Sequence, residues 1–190
     1  AAFRTAAAHI LPGALAAVAK RYPRVDSEVS VVRDLGVGPA REVLEGRADL
    51  AIINLPHHID GEPDLVTGTI GAEPFVLVHP ASRPDVAGLP VINWDENCDA
   101  STCQWWKTQD WLSEPSSQVA DDSVLLSMVG HGMGMAVVPY LTSRGAPDTV
   151  AVRDLGPDGP KRTIGYVTTP ELARSAVVRA LIRELRGQAI

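Results

Sequence analysis

Ala40-Arg41-Glu42-Val43-Leu44-Glu45-Gly46-Arg47-Ala48-Asp49-Leu50-Ala51-Ile52-Ile53 holds a helix, its stop and a buried strand in one continuous stretch. Ala40 to Leu44 reads as a short helix closed by Gly46, because glycine best tolerates the turn past a helix end. Asp49 to Ile53 shows no polar alternation, which suits a parallel strand covered on both faces. Upstream, Val25 to Val32 alternates apolar and polar residues and predicts another strand. Before it, Ile10, Leu11, Ala14, Leu15, Val18 and Tyr22 recur at helical spacing. Thr5 is a candidate cap for that helix, Pro12 sits near its start, and Pro23 ends it. This alternation of strands and helices is the rhythm of an open α/β sheet, whose ligands bind outside the carboxyl ends of the strands.

The rhythm resumes further on. Leu65 to Val78 is a long extended stretch interrupted by Gly68 and Gly71, and Val91-Ile92 is a short strand. Ser101 to Leu112 reads as a helix capped by Ser101 or Thr102, and Gln118-Val119-Ala120 as a strand. Asp122 or Ser123 caps a helix through Val129. A glycine-rich turn, Gly130 to Gly134, then leads into the buried strand Met135 to Val138, closed by Pro139. Val150 to Val152 and Thr163 to Val167 are strands. Pro170 to Arg186 is an amphipathic helix with Leu172, Ala176, Val177, Ala180, Leu181 and Leu185 on its apolar stripe.

Bulk properties narrow the function. The chain has 190 residues, 45% hydrophobic and 21% charged, with a formal net charge of −6. One domain or two modest lobes can bury a core at that length without disulfides or metals. An acidic chain repels phosphate, so this segment is a poor nucleic-acid binder. No apolar stretch reaches the length of a membrane helix and no secretory signal is visible. With two cysteines there is no disulfide framework, so a reducing cytoplasm is the expected compartment. The start at Ala1-Ala2-Phe3, without Met, is expected to be a cut in a longer chain.

Four stretches, in order, carry a family resemblance. They are Phe3 to Pro12 followed by Tyr22-Pro23, Leu44 to Ile52, Glu73 to Pro80, and Val124 to Pro139. Together they resemble the effector-binding domain of LysR-type transcriptional regulators over essentially the full chain. The resemblance implies an α/β fold of two Rossmann-like lobes joined by a two-strand hinge, like type II periplasmic-binding proteins. Lobe I would be residues 1–77 plus 155–190, and lobe II residues 78–154. A small effector, expected to be acidic, would bind in the interlobe cleft and change the spacing of DNA-binding heads. The winged helix-turn-helix would precede Ala1, so DNA is a partner only through that missing domain. Homodimers or homotetramers are implied, with the helices at Ile10–Tyr22 and Ser123–Val129 as interface elements. No cofactor, metal, membrane contact or enzymatic activity is expected.

On this resemblance the effector-binding set is Arg4, Thr5, Ala6, Gly38 and Asn54 in lobe I. In lobe II it is Asn93, Ser101, Thr102, Cys103 and Val138. Helix starts near Thr5 and near Ser101 and Thr102 can hold a carboxylate through backbone N–H groups, although both positions read equally well as plain caps. Gly130 to Gly134 follow a helix and precede a strand, the wrong order for a phosphate-cradling turn.

Cys98 matches the reactive cysteine of the family's peroxide-sensing branch, but Cys103 does not match the resolving position. Asp95, Glu96 and Asp99 disfavour a thiolate there, whereas a helix start favours one. Adjacent His57 and His58 rarely converge on one ion. No G-x-S-x-G elbow is present. Trp105 and Trp106 cannot face the same way on a helix, so one can line the cleft while the other covers core. Two rivals remain: a transporter's solute-binding protein, which the sequence upstream of Ala1 would reveal, and an enzyme on the same fold, for which no converging catalytic set is found.

Overall fold

The computed structural model describes residues 1–56, 65–97 and 100–188. In chain order the elements are α1 (Arg4–His9), α2 (Leu11–Arg21), α3 (Ala40–Leu44), β1 (Leu50–Leu55), β2 (Val66–Pro80), β3 (Val91–Trp94), α4 (Ala100–Lys107) and β4 (Pro115–Val119). They continue with α5 (Asp122–Gly130), β5 (Ala136–Pro139), α6 (Tyr140–Ser143), β6 (Val150–Asp154), β7 (Lys161–Thr168) and α7 (Ala176–Arg186). Two compact units divide the chain: Ala1–Ala72 with Thr163–Ile190, and Glu73–Arg162. β2 and β7 each contribute residues to both.

In the first unit β1 pairs antiparallel with β7, from Leu50↔Thr168 to Leu55↔Thr163. The apolar run at Asp49–Ile53 is therefore a buried strand, but its long partner is antiparallel. The parallel neighbour is Ala2, bridged to Ile52 on one side and Val31 on the other. Ala40, Val43, Ala51, Ile53 and Val167 make one core cluster, which seats α3 on the sheet. Gly46 follows α3 at φ +69°, as its sequence position predicts. Beside it Arg47 donates to Glu42 at 2.7 and 2.8 Å and also pairs with Glu45. The guanidinium holds the Glu42 carboxyl below its ordinary range, first through these hydrogen bonds.

Three expectations change here. Val25 to Val32 forms no named strand. It pairs through Ala2 alone, while Val25, Val29 and Val31 stay exposed. The helix expected behind Thr5 is two helices, broken at Ile10, with Pro12 in the first turn of α2, where its missing N–H costs nothing. Thr5 caps neither of them, because Phe3 is the N-cap of α1 and makes no side-chain cap bond. The amphipathic C-terminal helix begins only at Ala176, after a 3₁₀ turn at Leu172–Arg174. It buries Val178, Ala180 and Leu185 and packs against α2.

Glycine lets two strands meet closely in this unit. A Cβ on Gly165 would lie 2.4 Å from Leu55 Cδ1 and 2.8 Å from Gly68 O, and one on Gly68 would lie 2.6 Å from Tyr166 Oη. Side chains at either place would force β2 and β7 apart.

In the second unit β2 is flanked by β5 and β6, both antiparallel, while β3 and β4 pair in parallel. Successive residues of β2 and β5 feed opposite faces, as the two-residue period of a strand requires. Val76, Val78, Ala136 and Val138 join Ile92, Trp94, Leu125 and Val129. Phe75, Leu77 and Val137 join Leu89, Val91 and Met135, against which Trp105 and Trp106 both rest half-buried. Asp121, rather than Asp122 or Ser123, caps α5, accepting from Ser123 N at 2.8 Å and Val124 N at 3.2 Å. α4 stops at Lys107, short of the expected Leu112.

The strongest polar contact of this unit is a buried ion pair. Arg162 donates from Nε and Nη2 to Glu73 Oε1, each at 2.7 Å, and Leu141 N donates to Glu73 Oε2 at 2.7 Å. Glu73 is 0% and Arg162 5% exposed. Glu73→Leu should lower the unfolding free energy by about 3–5 kcal/mol in a urea titration, since it takes the paired carboxylate from a buried guanidinium. Adding Arg162→Met should restore most of the loss.

Candidate functional site

The sequence-derived site residues fall into both units, and each group has its own surroundings. In the first unit Arg4 is exposed on the opening turn of α1, while Thr5 is 3% and Ala6 0% exposed. Gly38 lies in the turn before α3 at φ +49°. A Cβ there would meet Asp34 Oδ1 at 2.9 Å and Asp34 Cα at 3.3 Å, so the loop closes around Asp34. Asn54, the one polar side chain of β1, reaches the same carboxylate: its Nδ2 donates to Asp34 Oδ2. Gly38 and Asn54 thus meet at Asp34, although they lie apart in sequence. Asp34 was absent from the sequence-derived set, because nothing local distinguishes it from any other acidic loop residue.

In the second unit Asn93 is half-buried in β3 and Thr102 is 1% exposed in α4. Val138 is 0% exposed and paired with Val76 in the middle of the core. The side chains of Ser101 and Cys103 lie outside the described residues, as do His57, His58 and Cys98 in full. The Asp95 carboxylate accepts from Gln118 Nε2, tying the end of β3 to β4.

Two surface cavities lie away from these positions. One, of about 320 Å³, sits in the first unit between α2, α7 and residues 25–30. The other, of about 400 Å³, sits in the second unit beside Trp111, Val86 and Arg153. Neither is lined by a sequence-derived site residue. No group of three or more potential metal ligands occurs among the described residues, and no helix among them is long and apolar enough to cross a membrane.

Two α/β units threaded by two shared strands define a periplasmic-binding-protein-like fold, the architecture of regulatory domains in LysR-type proteins. The chain belongs to the LysR substrate binding domain family, whose pattern matches residues 1–189. Among curated proteins it is 27% identical over 201 residues to the "Probable HTH-type transcriptional regulator LrrA" of Synechococcus elongatus, covering 100% of this chain and 65% of that protein. It is 25% identical over 162 residues to the HTH-type transcriptional regulator IlvY of Escherichia coli, covering 78% of this chain and 53% of IlvY. The chain therefore spans little more than half to two-thirds of these relatives.

Among solved structures, the reduced OxyR regulatory domain of Pseudomonas aeruginosa superposes with a TM-score of 0.76 at 18% identity, over 98% of this chain and 95% of that one. The OxyR2 regulatory domain of Vibrio vulnificus, in a cysteine-to-serine form, gives 0.77 at 19% identity, over 98% and 92%. At these identities the likeness concerns the fold alone.

The Asp34 corner yields a direct test. Gly38→Ala should cost about 1–3 kcal/mol, from the left-handed backbone alone, with the Asp34 contact adding to it. Gly36→Ala, at φ +61° with nothing within 4 Å of the new Cβ, should cost less. Urea midpoints of the two variants report the difference. Equal losses would mean that Asp34 does not constrain the loop.

Proposed function

We propose that this domain is the sensor of a transcription regulator: it binds a small effector, and the bound state biases a segment outside this chain that reads DNA. The observation carrying the proposal is the family match across residues 1–189, joined to relatives that are HTH-type transcriptional regulators of greater length. A net charge of −6 supports placing the DNA contact elsewhere. A ligand moves a conformational equilibrium only by its difference in affinity for the two states. The domain acts by binding, without turnover, and works in the cytoplasm.

The effector is a small acid. Arg4, Thr5, Ala6, Gly38 and Asn54 contact it from the first unit, with Arg4 supplying positive charge. Asn93, Ser101, Thr102 and Cys103 contact it from the second. The lobes are residues 1–77 with 155–190, and 78–154. The regulator works as a homodimer or homotetramer through the faces of α2 and α5, where Val124 is 49% exposed.

A ligand that binds only the folded state adds about 2.7 kcal/mol of stability at a hundredfold excess over Kd. Thermal melting against a panel of small carboxylic acids should therefore find a stabilising member. Its effect should shrink in Thr5→Val and in Thr102→Val, which preserve side-chain shape. A shift unaffected by either change would place the ligand elsewhere. No shift with any acid, but a peroxide response lost in Cys98→Ser, would replace this function with thiol sensing.

A further inference from the structure

β6 reads Val150-Ala151-Val152-Arg153-Asp154 and runs along β2, with Arg153 opposite Leu77 and Asp154 opposite Val76. Residues directly opposite in a ladder share a face of the sheet. Arg153 therefore stands on the face of Leu77, where Leu155 joins the same apolar cluster. Asp154 belongs to the other face, and its Oδ1 accepts from Gly156 N at 2.6 Å. On the Arg153 face lies the cavity of about 400 Å³, a volume within the range of small-molecule pockets.

The body of this cavity is apolar. Leu77, Val86 and Leu155 line it together with Trp111, which is 44% exposed. Trp105 and Trp111 meet edge to face, with ring centroids 6.5 Å apart. Trp111 Nε1 donates to Gln109 Oε1 at 3.0 Å, so the indole offers a ligand its ring surface rather than a donor. The loop forming the opposite wall is tied down by three bonds. Arg153 Nη2 donates to Pro84 O at 2.6 Å, Ala87 N to Asp85 Oδ1 at 3.0 Å, and Arg83 Nη2 to Ala87 O at 3.0 Å. A wall fixed in advance loses little freedom when a ligand arrives.

Two opposite charges sit on that wall. The bond to Pro84 O holds the Arg153 guanidinium beside the residue that precedes Asp85. Yet neither Arg153 nor Asp85 enters an ion pair among the described residues. Each is anchored through one atom, which leaves further guanidinium N–H groups and Asp85 Oδ2 to serve a ligand. The complement of this wall is an anionic and a cationic group side by side on an apolar body.

We infer that the cavity is a second ligand site, for a free α-amino acid with an aromatic or large aliphatic side chain. The Arg153 guanidinium donates to its carboxylate, and Asp85 Oδ2 accepts from its ammonium. Its side chain lies between Trp111 and the floor of Leu77, Val86 and Leu155. None of these residues belongs to the effector-contact set, so the inference stands apart from the effector function proposed above.

The test is calorimetric titration of the whole domain with phenylalanine, tryptophan and leucine, each beside its decarboxylated amine and its deaminated acid, and with glycine. At least one of the three amino acids should bind about tenfold or more tighter than either of its analogues, as the loss of one charge-assisted hydrogen bond requires. Glycine should give no heat of binding. Arg153→Gln should bring the amino acid level with its amine. Asp85→Asn, which keeps an acceptor for Ala87 N, should bring it level with its acid. Trp111→Ala, at an exposed position, should weaken every ligand. Failure of all three amino acids to bind would overturn the inference, as would an amine or acid that equals its parent. So would an affinity unchanged in both Arg153→Gln and Trp111→Ala, which would put the ligand elsewhere in the domain. None of these results decides the effector function, which is tested with its own acids and with Thr5→Val and Thr102→Val.

Discussion

Glu73 and Arg162 set the strongest constraint in this molecule. A carboxylate at 0% exposure and a guanidinium at 5% are held at 2.7 Å, with the second carboxylate oxygen taken by Leu141 N. Removing both charges from water is costly, and only a fully satisfied geometry offsets that cost. Three pieces of chain must therefore be in place together: β2 at Glu73, β7 at Arg162 and the corner between β5 and α6. Phe75 N adds a bond to Pro160 O at 2.9 Å alongside. The pair specifies where two strands sit side by side, which apolar contacts alone would leave free to slide.

What could be read from the sequence follows from whether the cause was local. The runs at Leu50–Ile53 and Ala136–Val138 gave buried strands because an unbroken apolar segment has nowhere else to go. Gly46 marked a helix end because the left-handed turn there is a property of that residue. Val25 to Val32 misled because alternation describes a face, while a strand also needs a partner, and Ala2 supplies only an isolated bridge. Thr5 misled because a good capping residue one position inside a helix looks the same in sequence as one at its edge.

The candidate site divides along the same line. Gly38 and Asn54 were nameable from the family resemblance. Asp34, which joins them, emerges only when the turn before α3 closes over it. Glu73 and Arg162 lie 89 residues apart; Glu73 opens a stretch that carries the family resemblance, but nothing in the sequence pairs it with Arg162. Val138 is a family position whose side chain packs in the core here, beside Val76 and Trp94. Chemistry that rests on a tertiary meeting is invisible to periodicity.

The exposed row of Val25, Val29 and Val31 bears on how the domain behaves as a reagent. These side chains are 38%, 42% and 59% exposed on an extended segment whose backbone is paired mainly at one end. An extended segment with open amides and carbonyls is a template on which another chain can add, and here the exposed Asp26 and Glu28 already blunt it in part. This edge, rather than either core, is where the isolated domain offers unpaired backbone to another copy at the concentrations of a scattering experiment. A lysine or proline placed along it would serve as a further gatekeeper without touching the Asp34 corner or the buried ion pair.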